Sequence, residues 1–275
     1  MQADICAIFA EASEKVPKPE KEYFDQTDGL LHCAVCGDAV QCKITVFGKE
    51  ITMRCICRCI KAAEEKLDRM KERDERERNR DICFEGSDMI NWTFEKDDLQ
   101  NERLSYAMAK YVALFPDFLK QGKGLLLYGT NGTGKSFYAA CIANRLIDSG
   151  RKVLFTSFSR LVNTLQGMYE GKQEYIDSLN KYELLILDDL GAERQSEYMQ
   201  EQVFNIVNAR ICSGLPMIVT TNLTLQEIGK PSDYEKARIY SRILGKCVPV
   251  EVKGADRRKE SCKKEYGGML AKLGL

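Results

Sequence analysis

Eight consecutive residues, Gly129, Thr130, Asn131, Gly132, Thr133, Gly134, Lys135 and Ser136, fit the spacing GxxxxGK[ST]. That spacing does phosphate chemistry. The glycines let successive backbone N–H groups turn toward phosphate oxygens with no Cβ in the way, and a following helix points its positive end at the same place. Lys135 is positioned to reach the β- and γ-phosphates of a nucleoside triphosphate, and Ser136 to hold Mg²⁺ through its hydroxyl. Hydrolysis also needs an acid nearby, and LLILDDLG supplies Asp188 and Asp189 after four apolar residues. Asp188 is the candidate for the Mg²⁺ shell. Asp189 is the candidate for polarising an attacking water, with Glu193 as an alternative. Asn222, at the end of MIVTTN, is the candidate for a hydrogen bond to the terminal phosphate or to that water.

These groups meet only if strands and helices alternate around them. Residues 125–128, 153–156, 184–187 and 217–220 are short apolar runs separated by helical patterns, which predicts a parallel sheet covered on both faces, with ligands at the carboxyl ends of its strands. The chain has 275 residues and 44% hydrophobic content, enough for one sizeable α/β core and a smaller appendage. The predicted organisation is an N-terminal helix and metal-binding module over residues 1–60, a charged helical connector over 61–80, and the α/β domain over 81–275. The connector follows from eight basic and seven acidic residues with almost no apolar stripe.

Of the chain's 12 cysteines, six lie between Cys33 and Cys59. Cys33 and Cys36 form CxxC, and Cys55, Cys57 and Cys59 form CxCxC after KITVF and EITMR, which alternate around Gly48 like a β-hairpin. Four thiolates at the distance of a Zn–S bond would hold one Zn²⁺ and give so small a module its folding energy. Cys33 and Cys36 are expected as ligands with two of the downstream three, leaving Cys42 to packing and His32 as an outside candidate. Residues 1–16 read as an amphipathic helix with Ile5, Ile8, Phe9 and Ala12 on one face, closed by Pro17 and Pro19. The N-terminus has no basic leader and the chain no apolar run of membrane-spanning length, so a cytoplasmic protein without a membrane partner is expected. Forty-one basic and 41 acidic side chains give no global field, so any nucleic-acid contact must be local.

The ordered set GTNGTGKS, LLILDDLGAE, VTTNL and ARIYSRIL resembles the AAA+ ATPases of the bacterial DnaC/DnaI helicase-loader type, with IstB transposition ATPases as close relatives. The resemblance runs from Trp92 to Lys259. It implies a P-loop AAA+ sheet with helices on both faces, ATP and Mg²⁺ as cofactors, and ATP hydrolysis. It also implies a replicative DNA helicase and single-stranded DNA as partners, and self-association into a ring or helical oligomer. In such families the RxxSR segment presents an arginine to a neighbouring subunit, so Arg238 and Arg242 are the finger candidates. Arg258, with Arg257 beside it, falls where a second sensing arginine is carried. The cysteine module is similar, more loosely, to zinc-bearing N-terminal domains that contact the helicase in some Gram-positive loaders. The room left for a lid after Asn222 is small, which favours a nucleotide-gated switch over a processive motor. Candidates for DNA contact are Lys152, Phe155, Phe158, Arg160 and Tyr169. The alternative reading is an IstB-type ATPase assisting a transposase.

Overall fold

The computed structural model describes residues 11–191, 196–231, 233–257, 259, 266, 272 and 273; Ile5, Ile8, Phe9, Glu193 and Arg258 lie outside them. The chain forms two compact units that meet between Glu75 and Arg76.

In the first unit β1 (Glu22–Asp25) pairs antiparallel with β2 (Leu30–Cys33), and β3 (Gln41–Val46) with β4 (Lys49–Arg54). The β3–β4 turn is Phe47 and Gly48, with φ of 49° and 75°. Two left-handed residues in a row give the turn whose twist matches a tight hairpin. Among the described residues of the unit the buried apolar set is Cys33, Val40 and Cys57. Helix α1 (Arg58–Phe84) starts here and runs 27 residues, into the second unit; its only buried residues are Cys83 and Phe84, at its end. Its Lys, Arg and Glu side chains suit a solvated helix, and it contains neither Gly nor Pro to break it.

The second unit continues with α2 (Glu102–Ala113), α3 (Phe115–Gln121), β5 (Gly124–Tyr128), α4 (Lys135–Asp148), β6 (Val153–Ser157), α5 (Phe158–Gly167), α6 (Lys172–Ser178), β7 (Leu184–Leu190), α7 (Glu197–Cys212), β8 (Met217–Thr221), α8 (Leu225–Gly229), α9 (Tyr234–Lys246) and β9 (Cys247–Glu251). The strands form one parallel sheet in the order β6-β7-β8-β5-β9. Alternate residues of a strand face opposite sides. Leu125, Leu127, Leu184 and Ile186 therefore pack with α2 and α4, whereas Leu126, Leu185 and Leu187 pack with α5, α7 and α9. Burial on both faces is why these strands read as unbroken apolar runs. The fifth strand, β9, was not among the four apolar runs of the sequence. It is an edge strand with Pro249 in it and three of its five residues exposed, so apolar continuity does not mark it. From β5 the chain crosses beyond β8 and β7 to β6, which opens a crevice at the carboxyl end of β5.

Candidate nucleotide site and cysteine cluster

The P-loop lies in that crevice, between the end of β5 and the first turn of α4. Gly134 caps α4 with φ of 100°, a conformation that a side chain would strain. Lys135 is 6% exposed, and its Nζ donates to the carbonyls of Gly129 (3.0 Å) and Thr130 (2.7 Å). Thr133 Oγ1 closes the loop with a 3.0 Å bond to Thr130 O. The ammonium is thus already held at the loop, where phosphate oxygens would replace carbonyl oxygens as its acceptors.

Across the crevice Asp188 Oδ1 accepts from Ser136 Oγ (2.8 Å) and Thr220 Oγ1 (2.6 Å). Burial pushes the Asp188 carboxyl above its usual range, against the lowering effect of the Thr220 and Ser136 hydrogen bonds. A divalent cation bound beside it would reverse that preference and hold it ionised. Thr220, which the sequence reading passed over, also accepts the backbone N–H of Asp189 at 2.9 Å, so one fully buried hydroxyl orients both acids. The β7–β8 register breaks between Leu187 and Leu190, and Asp189 within that break has φ of 62°. A bulge of this kind re-aims a side chain, and a left-handed non-glycine residue costs on the order of 1 kcal/mol or more. The Asp189 carboxylate consequently accepts from Asn222 Nδ2 at 3.2 Å.

Lys135, Ser136, Asp189 and Asn222 line one cavity of about 530 Å³ with Asn131, Gly132 and Gly134. Its volume suits a nucleotide-sized ligand. The aromatic part of its wall is Trp92 and Phe137, whose ring centroids are 6.1 Å apart. Buried Asn144 on α4 fixes the Trp92 segment by donating to Trp92 O (2.9 Å) and Met89 O (3.1 Å). Neither aromatic was picked out by sequence, because a tryptophan 37 residues before the motif's first glycine carries no spacing signal. Arg257 also lines the cavity, its backbone N–H donating to Gly132 O at 3.0 Å. A larger hollow of about 680 Å³, edged by Phe94, Val112, Phe115 and Arg145, includes no part of the P-loop.

Arg238 and Arg242 lie one turn apart on α9, their guanidinium carbons 4.3 and 4.6 Å from the ring centroid of Phe204 on α7. Arg238 also pairs with Glu235 at 2.9 Å, and Arg242 Nε donates to Asn208 at 3.2 Å. Neither lines the chain's own nucleotide cavity. Among the DNA candidates, Phe155 and Phe158 are core residues at 8% and 0% exposure, which removes them: an aromatic in the middle of β6 and one at the start of α5 pack against opposite faces of the sheet. Arg160 pairs with Glu85, and Tyr169 projects fully into solvent.

In the first unit the sulfurs of Cys33, Cys36, Cys57 and Cys59 all lie within 4.8 Å of one another. Sγ–Sγ separations are 3.4 Å for Cys33–Cys59 and 3.2 Å for Cys57–Cys59, close to the roughly 3.8 Å edge of a tetrahedron with Zn–S bonds of about 2.3 Å. The donor set therefore fits Zn²⁺. A hydrogen bond from the backbone of Cys36 holds the Cys33 thiol down to about 6, and its thiol neighbours Cys57 and Cys33 push Cys59 up to about 12. Cys55 stands outside the four, beside Cys42, and desolvation pushes its thiol up to about 11. β4 ends at Arg54 and α1 begins at Arg58, so Cys57 and Cys59 flank the first residue of the helix while Cys55 directly follows the hairpin strand. Asp38 links the two cysteine pairs, accepting from the backbone N–H and Nε of Arg58, both at 2.9 Å. His32 is engaged elsewhere: its ring nitrogens contact Gly37 O (2.9 Å) and Asp28 Oδ2 (2.8 Å).

Among the described residues no helix is long and apolar enough to cross a membrane. The family model for IstB-like ATP binding protein matches residues 62–265. The replicative helicase loader DnaI of Bacillus subtilis is 27% identical over 265 residues, covering 86% of this chain and 81% of that protein. The replicative helicase loader DnaC of Escherichia coli K12 is 25% identical over 144 residues, covering 51% of this chain and 59% of that protein. A crystal structure of the DnaC helicase loader has a TM-score of 0.50 at 23% identity, covering 59% of this chain and 97% of that one, a likeness of fold alone. With the family match spanning well over half of its length and a complete P-loop at the sheet's crevice, the chain belongs to the IstB-like ATP-binding proteins, AAA+ P-loop ATPases of the DnaC/DnaI type.

Proposed function

We propose that this ATPase loads a replicative DNA helicase onto single-stranded DNA, its nucleotide state deciding whether the helicase is held or released. The observation that carries this reading is the extent of the likeness to the loader DnaI: 86% of the chain is more than residues 76–275 contain, so it reaches into the cysteine-bearing unit. The cysteine unit, residues 1–60 with Zn²⁺ on Cys33, Cys36, Cys57 and Cys59, is the part assigned to the helicase. The connector is assigned to 61–80 and the ATPase domain to 81–275.

In that domain the P-loop backbone and Lys135 bind the β- and γ-phosphates, and Ser136 and Asp188 hold Mg²⁺. Bound there, Mg²⁺ supplies neutralisation of phosphate charge. Asp189, fixed by Asn222, orients the attacking water and accepts its proton. Arg238 and Arg242, outside their own cavity, serve the nucleotide of a neighbouring subunit in a ring or helical assembly, where one of them stabilises charge on the transferring phosphoryl group. Tyr169 is the remaining aromatic candidate for stacking on single-stranded DNA.

A second reading, an ATPase assisting a transposase, draws on the IstB-like family match, which begins at residue 62 and omits the cysteine cluster. The two readings part in a capture experiment. Full-length protein is immobilised and offered the replicative helicase of the same cell with ATP or ADP, alongside Lys135→Ala and the double variant Cys33→Ser/Cys36→Ser. The loader reading expects capture that depends on nucleotide in the parent, loses that dependence in Lys135→Ala, and disappears without the cysteine pair. No capture in any state, with capture of a transposase instead, would select the second reading.

A further inference from the structure

We propose that Asp97, assisted by Asp98, is a positioning residue that holds the Arg257 guanidinium over the phosphate-binding loop and so preorganises it for ATP. The acids and the arginine are far apart in sequence and are joined by two contacts, while a third ties the arginine to the loop. Arg257 Nη2 lies 3.1 Å from Asp98 Oδ1, Nη1 lies 3.8 Å from Asp97 Oδ1, and the Arg257 backbone N–H is bonded to Gly132 O of the loop itself. The guanidinium also sits 6.0 Å from the ring centroids of both Phe137 and Tyr138. A Cβ at Gly134 would come within 3.6 Å of its central carbon, so the group rests against the loop.

The two carboxylates differ in kind. The Asp97 side chain is 1% exposed and that of Asp98 43%. Asp97 accepts from Ser105 Oγ on α2, and that hydroxyl is 3.0 Å from the buried Tyr138 hydroxyl on α4. Asp97 is therefore anchored to the same helix that carries Lys135 and Ser136, and it forms a fixed point relative to the loop. Moving the arginine away would leave this buried carboxylate without its cation, which is strongly unfavourable. Arg257 is accordingly expected to keep this place when nucleotide binds. A guanidinium carries five N–H donors. Contacts through Nη1 and Nη2 toward the carboxylates do not exhaust them, and an anion lying along the loop meets a charge already aimed and largely buried, at 22% exposure.

This inference rests on the nucleotide reading of the cavity, and its test separates the two. Binding of a fluorescent ATP analogue, with unlabelled ATP in competition, is measured on full-length protein. Lys135→Ala is the control for the cavity: retained affinity in that variant would sink the nucleotide reading itself. With that control lost, Asp97→Asn and Arg257→Ala are each expected to weaken ATP about tenfold, the order expected when a buried charge loses its ionic partner or the phosphate loses its cation. The double variant is expected to bind like Arg257→Ala alone, and Asp97→Glu to recover part of the loss. In turnover KM rises while kcat stays within about twofold, the pattern of lost binding rather than lost chemistry. Unchanged or tighter ATP binding in Asp97→Asn, or an additive double variant, would overturn the proposal. Should Asp97→Asn fail to fold, half-exposed Asp98→Asn carries the same cycle, with a loss of about threefold expected only where Arg257 is present.

Discussion

In residues 11–75 the buried apolar set is Cys33, Val40 and Cys57, and two of the three are thiols in the four-sulfur cluster. In residues 76–275 two clusters, each of more than twenty buried side chains, cover opposite faces of a five-stranded sheet. The described residues of this module bury little apolar surface to set against chain entropy, and four converging thiolates are a means by which small modules make up such a difference. The ATPase unit has the reverse economy: its fold comes from packing, and its site is free to hold a raised carboxyl at Asp188 and a left-handed Asp189. A metal on the four sulfurs would be structural in the first unit, and one at Ser136 and Asp188 would be chemical in the second.

That contrast can be broken by experiment, most forcefully at the metal. Stripping zinc with a chelator is expected to unfold the first unit, seen as loss of amide protection across residues 22–57, while ATP affinity changes little. Loss of ATP binding in parallel would mean that the two units fold as one. Next in size, Asp188→Asn should lower kcat by at least about a hundredfold, with zinc content unchanged, since it removes the carboxylate beside the metal and the phosphates. A smaller effect, on stability, comes from Arg210. It is 1% exposed, its pKa lowered by burial to about 10, and it donates to the carbonyls of Tyr182, Glu183 and Pro216. Arg210→Met leaves those acceptors wanting and should destabilise the ATPase unit by about 3 kcal/mol, read as a lower midpoint in denaturant with zinc retained. The mildest change is Cys55→Ser, which should keep one zinc per chain, whereas Cys57→Ser should lose it; equal losses would redraw the cluster.

The residues that chemistry pins to a spacing were legible in the sequence. GxxxxGK[ST] must be contiguous because one loop wraps the phosphates, and Asp188, Asp189 and Asn222 stand where apolar strands end. What escaped are contacts between distant segments: Thr220 between the two acids, Trp92 beside Phe137, and Asp97 with Arg257. None has a local signature. Phe155 and Phe158 misled because aromatic character alone does not separate a stacking surface from a core, and the alternation of CxCxC hid the turn that divides Cys55 from Cys57 and Cys59.

The most direct test of the account is helicase transfer onto single-stranded DNA. Closed single-stranded circles are mixed with the replicative helicase of the same cell and the full-length protein, and helicase bound to the circles is counted after ATP is added. Loading is expected to require the parent protein and to fail with both Lys135→Ala and Cys33→Ser/Cys36→Ser, the first still able to capture helicase and the second not. Equal helicase loading with and without the protein would contradict it.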